Sequence, residues 1–380
     1  MIDSNRIKRL PPYSLGKIKA IMAEQRAKGA DIIDFGMGNP DKPTPTHIVD
    51  KLCEVARDPK AHRYSISKGM LNLRKAMAQR YKEDFNVDLD PESEIITTIG
   101  AKEGISHLAL ALIDEGDVVL VPNPTYPIHL YSVVIAGGNL VSIPLTKENG
   151  FVVDLNKIKK ENLWPKPKMM ILSYPHNPTT ATVDLKYFED VVAFAKENNI
   201  MIVHDLAYKD HMFDGVKAPS FLQVKGAKDV GVELFSLSKS YNMPGWRVAF
   251  AMGNQKMISD LAKIKSYMDY GIFTPIQVAA ITALKGPQEC VKEIADLYSK
   301  RRDVMIEGLE KAGWKIPKPK ATMFIWAEIP DKFKSMGSQA FAAKLLMEGN
   351  VVVSAGVGFG EYGEGYVRFA LIENEDRIRQ

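Results

Sequence analysis

Several short apolar runs in this chain end in polar side chains that could carry out chemistry. The run VELFSL is followed directly by Ser238 and Lys239, and the run IMIVHD ends in Asp205. A lysine amine can bond to a carbonyl carbon and, once neutral, can take a proton from a bound substrate. A carboxylate in the same place can keep a nearby ring nitrogen protonated. The two groups together indicate covalent chemistry at a carbonyl carbon.

Further candidate residues lie at or after the ends of these and other apolar runs of the chain. Taken one at a time, each has a structural explanation, such as a helix N-cap, a turn, a packed ring or a surface lysine. Successive runs that all end in such groups are harder to explain in that way, and they predict a single site. These further residues are Ala101, Lys102, Tyr126, Asn177, Tyr208 and Ser236.

The elements that must position these residues alternate regularly along the chain. Between residues 94 and 252, continuous apolar strands are separated by amphipathic helical patterns. This alternation predicts an α/β fold in which a large domain has a mostly parallel seven-stranded sheet between helices. Ligands bind at the carboxyl ends of the strands in such a sheet, so we expect the polar residues to meet there. The predicted strands are 94–99, 117–121, 140–145, 168–174, 200–205, 232–237 and 247–252.

The last part of the chain has a different pattern. A long helical stretch leads into ATMFIWAEI, a second helix and the apolar runs VVVSAG and YVRFAL. We interpret residues 286–380 as a smaller α+β domain and residues 41–285 as the large domain, which would bind the ligand. Residues 1–40 are expected to pack on the small domain, and the final NEDRIRQ is expected to be an incomplete helix.

Pyridoxal 5′-phosphate would use all of these groups. Its aldehyde bonds to a lysine amine, which Lys239 would supply, and its pyridine nitrogen needs a carboxylate such as Asp205. Its phenolate oxygen needs neutral donors, for which Asn177 and Tyr208 are suited. Its ring needs an aromatic face, and its phosphate needs a helix N-terminus, hydroxyl groups and a guanidinium. We therefore predict this cofactor and no metal.

The segment SLSKSYNMPGWR, residues 236–247, resembles the S-x-[ST]-K-x(5)-G-x-R signature of class I aminotransferases. These belong to the class I/II family of fold-type I pyridoxal-phosphate enzymes, so the resemblance implies an aspartate-aminotransferase-like fold. The resemblance covers essentially the whole chain, because further motifs occur in the family's order. They are GMGNP, YSISKG, GAKEG, PTYP, PHNPT, HDLAY and YVRFAL.

The resemblance implies a role for each matching residue. Lys239 is the catalytic residue, which bonds covalently to the cofactor. Tyr64 matches a tyrosine that reaches the phosphate bound by the neighbouring subunit, so a homodimer with shared active sites is expected. The full implied set of cofactor-binding residues is Tyr64, Ala101, Lys102, Tyr126, Asn177, Asp205, Tyr208, Ser236, Ser238, Lys239 and Arg247.

Substrate binding is implied in the same way. Arg368 matches the arginine that binds the substrate α-carboxylate through two parallel hydrogen bonds, and Gly38 and Asn177 match contacts to the same group. Tyr13 matches a tyrosine that lines the substrate pocket in diaminopimelate relatives. A substrate with a second carboxylate would need another cation, for which the candidates are Arg63, Lys17 and Lys102.

The implied reaction is transamination between an L-amino acid and a 2-oxo acid. Among subgroups, the chain resembles bacterial alanine (glutamate–pyruvate) aminotransferases most, through RLPPYSLGKI, LSKSYNM and KIKSYMDYGIFTP. Alanine and 2-oxoglutarate are therefore expected to give pyruvate and glutamate. Aspartate or LL-diaminopimelate aminotransferase is the alternative. A pyridoxal-phosphate carbon–sulfur lyase and a non-catalytic cofactor-binding regulator are less favoured.

Composition and the remaining motifs argue against other classes of function. The 50 basic and 46 acidic residues are spread along the chain, so no nucleic-acid partner is expected. No apolar run reaches the roughly 18 residues of a membrane span, and the first residues lack a signal-peptide core. The two cysteines, Cys53 and Cys290, suit a reducing cytoplasm. GFGEYG, residues 358–363, precedes a strand and is interpreted as a loop, and His204 and His211 lack a metal-ligand spacing.

Overall fold

The computed structural model describes residues 4–11, 15–160 and 166–380. Within these ranges the helices are α1 (Asn5–Lys8), α2 (Leu15–Ala27), α3 (Thr46–Ala56), α4 (Leu71–Phe85), α5 (Ala101–Leu112), α6 (Pro127–Ala136), α7 (Leu155–Lys160), α8 (Leu185–Asn198), α9 (Ala227–Val230), α10 (Leu237–Ser240), α11 (Gln255–Met268), α12 (Thr274–Lys285), α13 (Glu289–Lys311), α14 (Gly337–Gly349) and α15 (Glu375–Arg379). The strands are β1 (Ile33–Asp34), β2 (Ile95–Thr98), β3 (Val118–Asn123), β4 (Asn139–Pro144), β5 (Met169–Ser173), β6 (Met201–Asp205), β7 (Gly231–Ser236), β8 (Ala249–Gly253), β9 (Phe324–Glu328), β10 (Val351–Val352), β11 (Ser354–Ala355) and β12 (Tyr366–Ala370). None of the helices in these ranges is both long and apolar enough to cross a membrane.

The largest sheet has seven strands in the order β2-β8-β7-β6-β5-β3-β4. Strand β8 is antiparallel to both neighbours, and the other pairings are parallel. The prediction of a mostly parallel seven-stranded sheet is therefore confirmed. The last strand begins at Ala249 rather than at the predicted residue 247, because Arg247 has a φ of 58° and so leaves the extended conformation.

The central strands are apolar along their whole length because helices cover both faces of the sheet. Every residue of β5 and β7 is buried. Successive residues of a strand point to opposite faces, and on β3 the side chain of Leu120 joins one hydrophobic cluster while Val119 and Val121 join another. This double covering explains why the strands show no apolar–polar alternation.

A second region of the molecule contains two smaller sheets and its own hydrophobic cluster. One sheet has the order β11-β12-β9 with antiparallel pairs, and the other pairs β1 with β10 in parallel. The β1 strand lies within the first 40 residues, and the backbone N–H of Ala370 donates to Phe35 O at 2.8 Å. The segment before residue 40 thus contacts the last part of the chain. The division at residues 40 and 285 stays a prediction.

Candidate active site

A cavity of about 470 Å³ opens where β5, β6 and β7 end. It includes Ser173, Asp205 and Ser236, the last residues of these three strands. Parallel strands deliver their carboxyl ends to the same edge, so residues far apart in sequence meet there. The predicted site residues that line the cavity are Gly38, Ala101, Lys102, Tyr126, Asn177, Asp205, Tyr208, Ser236, Ser238, Lys239, Arg247 and Arg368.

Lys239 enters this cavity from the short helix α10, which starts immediately after β7. Ser236 forms the N-cap of α10 and accepts a hydrogen bond from the backbone N–H of Ser238 at 3.2 Å. The Lys239 Nζ donates to the backbone oxygen of Gly38 at 2.5 Å. Burial, together with the positive charges of Arg368 and Arg247, lowers the pKa of Lys239 from 10.5 to about 7. A large fraction of the amine is therefore neutral near neutral pH and can act as a base or nucleophile.

Asp205 is held by a buried histidine that the sequence analysis did not identify. His129 Nε2 lies 3.0 Å from Asp205 Oδ2, and His129 Nδ1 lies 2.8 Å from Thr125 Oγ1. His129 follows Tyr126 by three positions, and the two rings make an edge contact at 5.8 Å. Residues three apart share one face of a helix, so this spacing was the available signal. The carboxylate is thus fixed in place in the lining of the cavity.

His204 lies next to Asp205 in sequence but serves a different part of the structure. Its Nδ1 is 2.8 Å from Glu233 Oε2, and its Nε2 accepts a hydrogen bond from the backbone N–H of Tyr174 at 3.2 Å. Glu233 also accepts hydrogen bonds from Tyr81 and Ser220. Because neighbouring residues of a strand point to opposite faces, His204 stabilises the sheet on the face away from Asp205.

One end of the cavity forms a cradle suited to a phosphate. Helix α5 starts after Gly100, whose φ of 82° favours glycine, and a Cβ at this position would overlap the Arg247 guanidinium. The hydroxyls of Ser236 and Ser238 lie 2.9 Å apart beside it. A helix N-terminus, two hydroxyls and a guanidinium are the donor set that phosphate groups prefer in proteins.

Arg368 also lines the cavity. This residue is 6% exposed, and its Nη1 and Nη2 donate to Asn177 Oδ1 at 2.7 Å and to Gly36 O at 3.1 Å. Its guanidinium carbon lies 4.1 Å from the ring centroid of Phe324 and 4.5 Å from that of Phe359. The sequence analysis did not identify either phenylalanine, although Phe359 lies in the GFGEYG segment that it interpreted as a loop.

Tyr208 lines the same cavity and is buried. Its ring makes an edge contact with Phe324 at 5.5 Å. Burial, opposed by the nearby charge of Arg368, raises the pKa of Tyr208 well above its usual value. The phenol is therefore neutral across the physiological range and can donate a hydrogen bond to an oxyanion.

One predicted residue of the described ranges, Tyr64, does not lie with the others. Tyr64 is 86% exposed, and its ring lies 4.7 Å from that of Tyr270, outside the cavity lining of the same chain. The expected contact of Tyr64 is with the site of a neighbouring subunit. Tyr13 lies outside the described residues, as does the side chain of Lys17.

A cluster of possible metal ligands in the described ranges already contains a cation. Donor atoms of Glu103, His107 and Asp269 lie within 4.8 Å of one another. The buried Lys265 Nζ lies 2.7 Å from Glu103 Oε1 and 3.0 Å from Asp269 Oδ2. The ammonium group forms an ion pair with each carboxylate, and the cluster connects α5 with α11.

The residues present fit pyridoxal phosphate. The Gly100–Arg247 cradle suits its phosphate, the fixed Asp205 suits its ring nitrogen, and the amine of Lys239 lies in the same cavity. These groups come from separate segments of the chain. The cavity thus brings together donor groups that this cofactor requires, and the role of each residue stays a prediction.

Comparison with known proteins identifies the family. The sequence profile described as aminotransferase class I and II matches residues 30–378. The chain is 56% identical over 375 residues to the glutamate-pyruvate aminotransferase AlaC of Escherichia coli K12, an alignment that covers 99% of this chain and 91% of that protein. It is 45% identical over 380 residues to the LL-diaminopimelate aminotransferase of Moorella thermoacetica, covering 100% of this chain and 96% of that protein.

The fold agrees with this relationship. A solved structure of a Thermus thermophilus aspartate aminotransferase double mutant matches with a TM-score of 0.92 and 26% identity, covering 100% of this chain and 97% of that one. The predicted aspartate-aminotransferase-like fold and the resemblance to glutamate–pyruvate aminotransferases are thereby confirmed. This chain belongs to the class I and II aminotransferases and is a pyridoxal-phosphate-dependent enzyme of that family.

Proposed function

We propose that this enzyme transfers the amino group of alanine to 2-oxoglutarate, giving pyruvate and glutamate. The observation that carries the proposal is that a single cavity contains Lys239, Asp205 and Arg368, which the chain contributes from three separate segments. The relative at 56% identity is a glutamate-pyruvate aminotransferase, which supports this pair of substrates. LL-diaminopimelate is the second candidate, because relatives at 45% identity are named for it.

We assign cofactor binding to the end of the cavity formed by the seven-stranded sheet. The N-terminus of α5 at Ala101 and Lys102, the two serines and Arg247 would bind the phosphate. Asp205 would hold the ring nitrogen protonated, and Tyr126 would pack on the ring. Pyridoxal phosphate, when bound, supplies an aldehyde and a protonated ring that can accept electron density from the substrate Cα. The residues that support the assignment are Ala101, Lys102, Tyr126, Asp205, Ser236, Ser238 and Arg247.

Lys239 is the residue to which we assign proton transfer. Its lowered pKa leaves the amine partly neutral near neutral pH, so Nζ can accept the Cα proton of the substrate and later return it. Tyr208 and Asn177, which line the same cavity, would donate hydrogen bonds to the phenolate oxygen of the cofactor. Apolar and aromatic groups line much of the remaining cavity and would exclude water from the reacting atoms.

Arg368 is the residue to which we assign the substrate α-carboxylate. Its bonds to Asn177 and Gly36 hold the guanidinium in place. Gly38 would contribute a backbone contact, and an added side chain there would overlap the Phe324 ring. The substrate Cα would then lie between Arg368 and Lys239.

A dicarboxylic substrate requires a further cation. Of the three candidates predicted from sequence, Lys102 lines the cavity, Arg63 is exposed outside its lining, and the side chain of Lys17 lies outside the described residues. We therefore propose that Lys102 contacts the distal carboxylate of glutamate and 2-oxoglutarate. The uncharged side chain of alanine would need no such contact.

We further propose that the enzyme is a cytoplasmic homodimer. Tyr64, Tyr267 and Tyr270 are 86%, 87% and 63% exposed, and the rings of Tyr64 and Tyr270 pack against each other. Grouped exposed aromatic side chains are typical of protein interfaces. A second subunit that covers this surface would place Tyr64 near the phosphate cradle of that second subunit, as the family resemblance implies.

The experiment that tests the proposed function is a screen of half-reactions followed through the visible spectrum of the bound cofactor. Alanine and glutamate are expected to convert the spectrum to that of the amino form, with aspartate, phenylalanine and LL-diaminopimelate reacting much more slowly. Exclusive reaction with LL-diaminopimelate would replace alanine as the substrate. Release of ammonia without amino exchange, or a protein that does not bind added pyridoxal phosphate, would contradict the proposal.

The proposed role of Lys102 is tested by comparing two oxo acids, 2-oxoglutarate and pyruvate. Lys102→Met is expected to raise the KM for 2-oxoglutarate roughly tenfold and to leave the KM for pyruvate little changed, because only the former has a second carboxylate. Lys186→Met, on an exposed helix face, is the matched control. Equal effects on both oxo acids would assign Lys102 to the cofactor phosphate alone.

A further inference from the structure

The guanidinium of Arg368 packs against two aromatic rings inside the cavity. The ring centroids of Phe324 and Phe359 lie 4.1 Å and 4.5 Å from its central carbon. Both phenylalanines are buried and line the same cavity as Lys239. Attraction between a cation and an aromatic face is strongest where both are removed from water, which is the situation here.

We propose that Phe324 and Phe359 are positioning residues, which hold Arg368 in the orientation that binds the substrate α-carboxylate. This inference rests on the proposed function, because it extends the role assigned to Arg368. A carboxylate binds in the plane of a guanidinium, whereas an aromatic ring attracts its face. The two rings therefore stabilise the buried charge without competing for the carboxylate. If an acidic side chain replaced either ring, it would bind in the plane of the Arg368 guanidinium and neutralise its charge.

The position of the Phe324 ring is fixed by other residues of the site. Phe324 begins β9 and is 1% exposed, and its ring contacts Tyr208 at 5.5 Å. A Cβ placed on Gly38 would come within 2.6 Å of the Phe324 ring carbon Cε1. The Gly38 carbonyl oxygen, in turn, accepts the hydrogen bond from Lys239. Phe324 thus contacts both the arginine and the backbone segment beside the catalytic lysine.

The backbone that carries Phe359 is held by residues at the end of a strand of the large sheet, β3. The backbone N–H of Thr125 donates to Phe359 O at 2.9 Å, and the N–H of Tyr362 donates to Asn123 Oδ1 at 3.3 Å. Thr125 also contacts His129 through its hydroxyl. The GFGEYG loop therefore binds to the segment that orients the Asp205 partner, and it delivers one ring to Arg368.

The test compares two oxyamines that differ by a carboxylate, aminooxyacetate and methoxyamine. Both react with the cofactor of the holoenzyme and reduce its visible absorbance, and only aminooxyacetate can use Arg368. Phe359→Leu is expected to lower the ratio of their rate constants roughly tenfold, which corresponds to the loss of one desolvated cation–π contact. It should also raise the KM for alanine with little change in kcat, while the cofactor dissociation constant stays unchanged. Phe359→Tyr retains a ring and should retain the ratio.

Phe369→Leu is the matched control. Phe369 follows Arg368 on β12, is 3% exposed and packs against Phe35 and Trp314 in the core. It is expected to lower the unfolding temperature without changing the oxyamine ratio. Phe324→Leu should behave like Phe359→Leu and provides a second variant if one of them fails to fold.

Several outcomes would overturn the proposal. One is an equal slowing of both oxyamines in Phe359→Leu, which indicates a general structural role. Another is an unchanged ratio of the two rate constants in Phe359→Leu. A lowered ratio in Phe359→Tyr, which retains a ring, would also contradict the proposal. Failure of the wild-type holoenzyme to exchange amino groups with any amino acid is a separate result, which contradicts the proposed function itself.

Discussion

Two walls of the cavity are built in different ways. The cofactor wall, defined by Asp205 and Lys239, is formed by residues at or just after the ends of strands in the seven-stranded sheet. The substrate wall, defined by Gly38, Phe359 and Arg368, combines a loop, a short 3₁₀ turn and a strand of the three-stranded sheet. The first wall thus comes from the end of one sheet, whereas the second joins segments from different parts of the fold.

This difference separates cofactor binding from substrate binding. Arg368 contacts Asn177 and Gly36, which lie 191 and 332 positions away in the chain. Asp205 ends β6 and Lys239 lies in the helix that follows β7, and these two strands are parallel neighbours. We therefore expect changes in the cofactor wall to affect every step of the reaction, and changes in the substrate wall to affect mainly the recognition of carboxylates.

The largest effect is expected when the cofactor wall loses its amine. Lys239→Ala should reduce transamination by about 10⁴-fold, because the residue that accepts and returns the Cα proton is gone. The rate would be measured by single-turnover absorbance with alanine. The phosphate cradle is unchanged, so the variant should still bind pyridoxal phosphate non-covalently. Full activity in this variant would show that another residue transfers the proton.

An intermediate effect is expected in the substrate wall. Arg368→Lys should raise the KM for alanine by roughly 10- to 100-fold, because lysine cannot form the two parallel hydrogen bonds to a carboxylate. Steady-state kinetics would measure the KM for alanine, which reports on the substrate wall. An equilibrium titration with pyridoxal phosphate would measure cofactor affinity, which reports on the cofactor wall. The cofactor dissociation constant should not change. A parallel loss of cofactor affinity would show that the walls are not independent.

The smallest effect concerns the ionisation of Lys239 in the apoprotein. Its pKa in the folded state is about 7, mainly because of burial, against a usual value of 10.5. The protonated lysine therefore destabilises the fold below about pH 7, and this penalty disappears as the pH rises from about 7 towards 10.5.

Lys239→Met should accordingly raise the unfolding temperature more at about pH 6 than at about pH 10. Thermal unfolding of the apoprotein at both pH values would measure the difference. Lys186→Met, whose lysine is exposed, should show no such dependence on pH. An equal gain at both pH values would mean that the folded-state pKa of Lys239 is not lowered.

Much of the cofactor wall could be predicted from sequence. Apolar runs located the strands, and the rule that parallel strands present their carboxyl ends at one edge placed Asp205 and Lys239 together. His129 was missed because its function depends on the orientation of a helix relative to β6. The spacing from Tyr126 was a signal, but it did not show that the imidazole would reach the carboxylate.

The substrate wall could be predicted only in part. Arg368 was identified through the family resemblance, whereas no motif pointed to a role for Phe324 or Phe359, which contact it only after folding. Tyr64 is exposed on its own chain, and its predicted role depends on a second subunit.

The sequence alone determined the alternation of strands and helices, the order of the motifs and the chemistry of the cofactor wall. These features are local, because they depend on apolar runs and on which residue follows each strand. Only the tertiary structure decided which rings pack against Arg368, how His129 supports Asp205 and which candidate cation enters the cavity. Such contacts join segments far apart in the chain, and their geometry results from the packing of whole elements rather than from the spacing of residues.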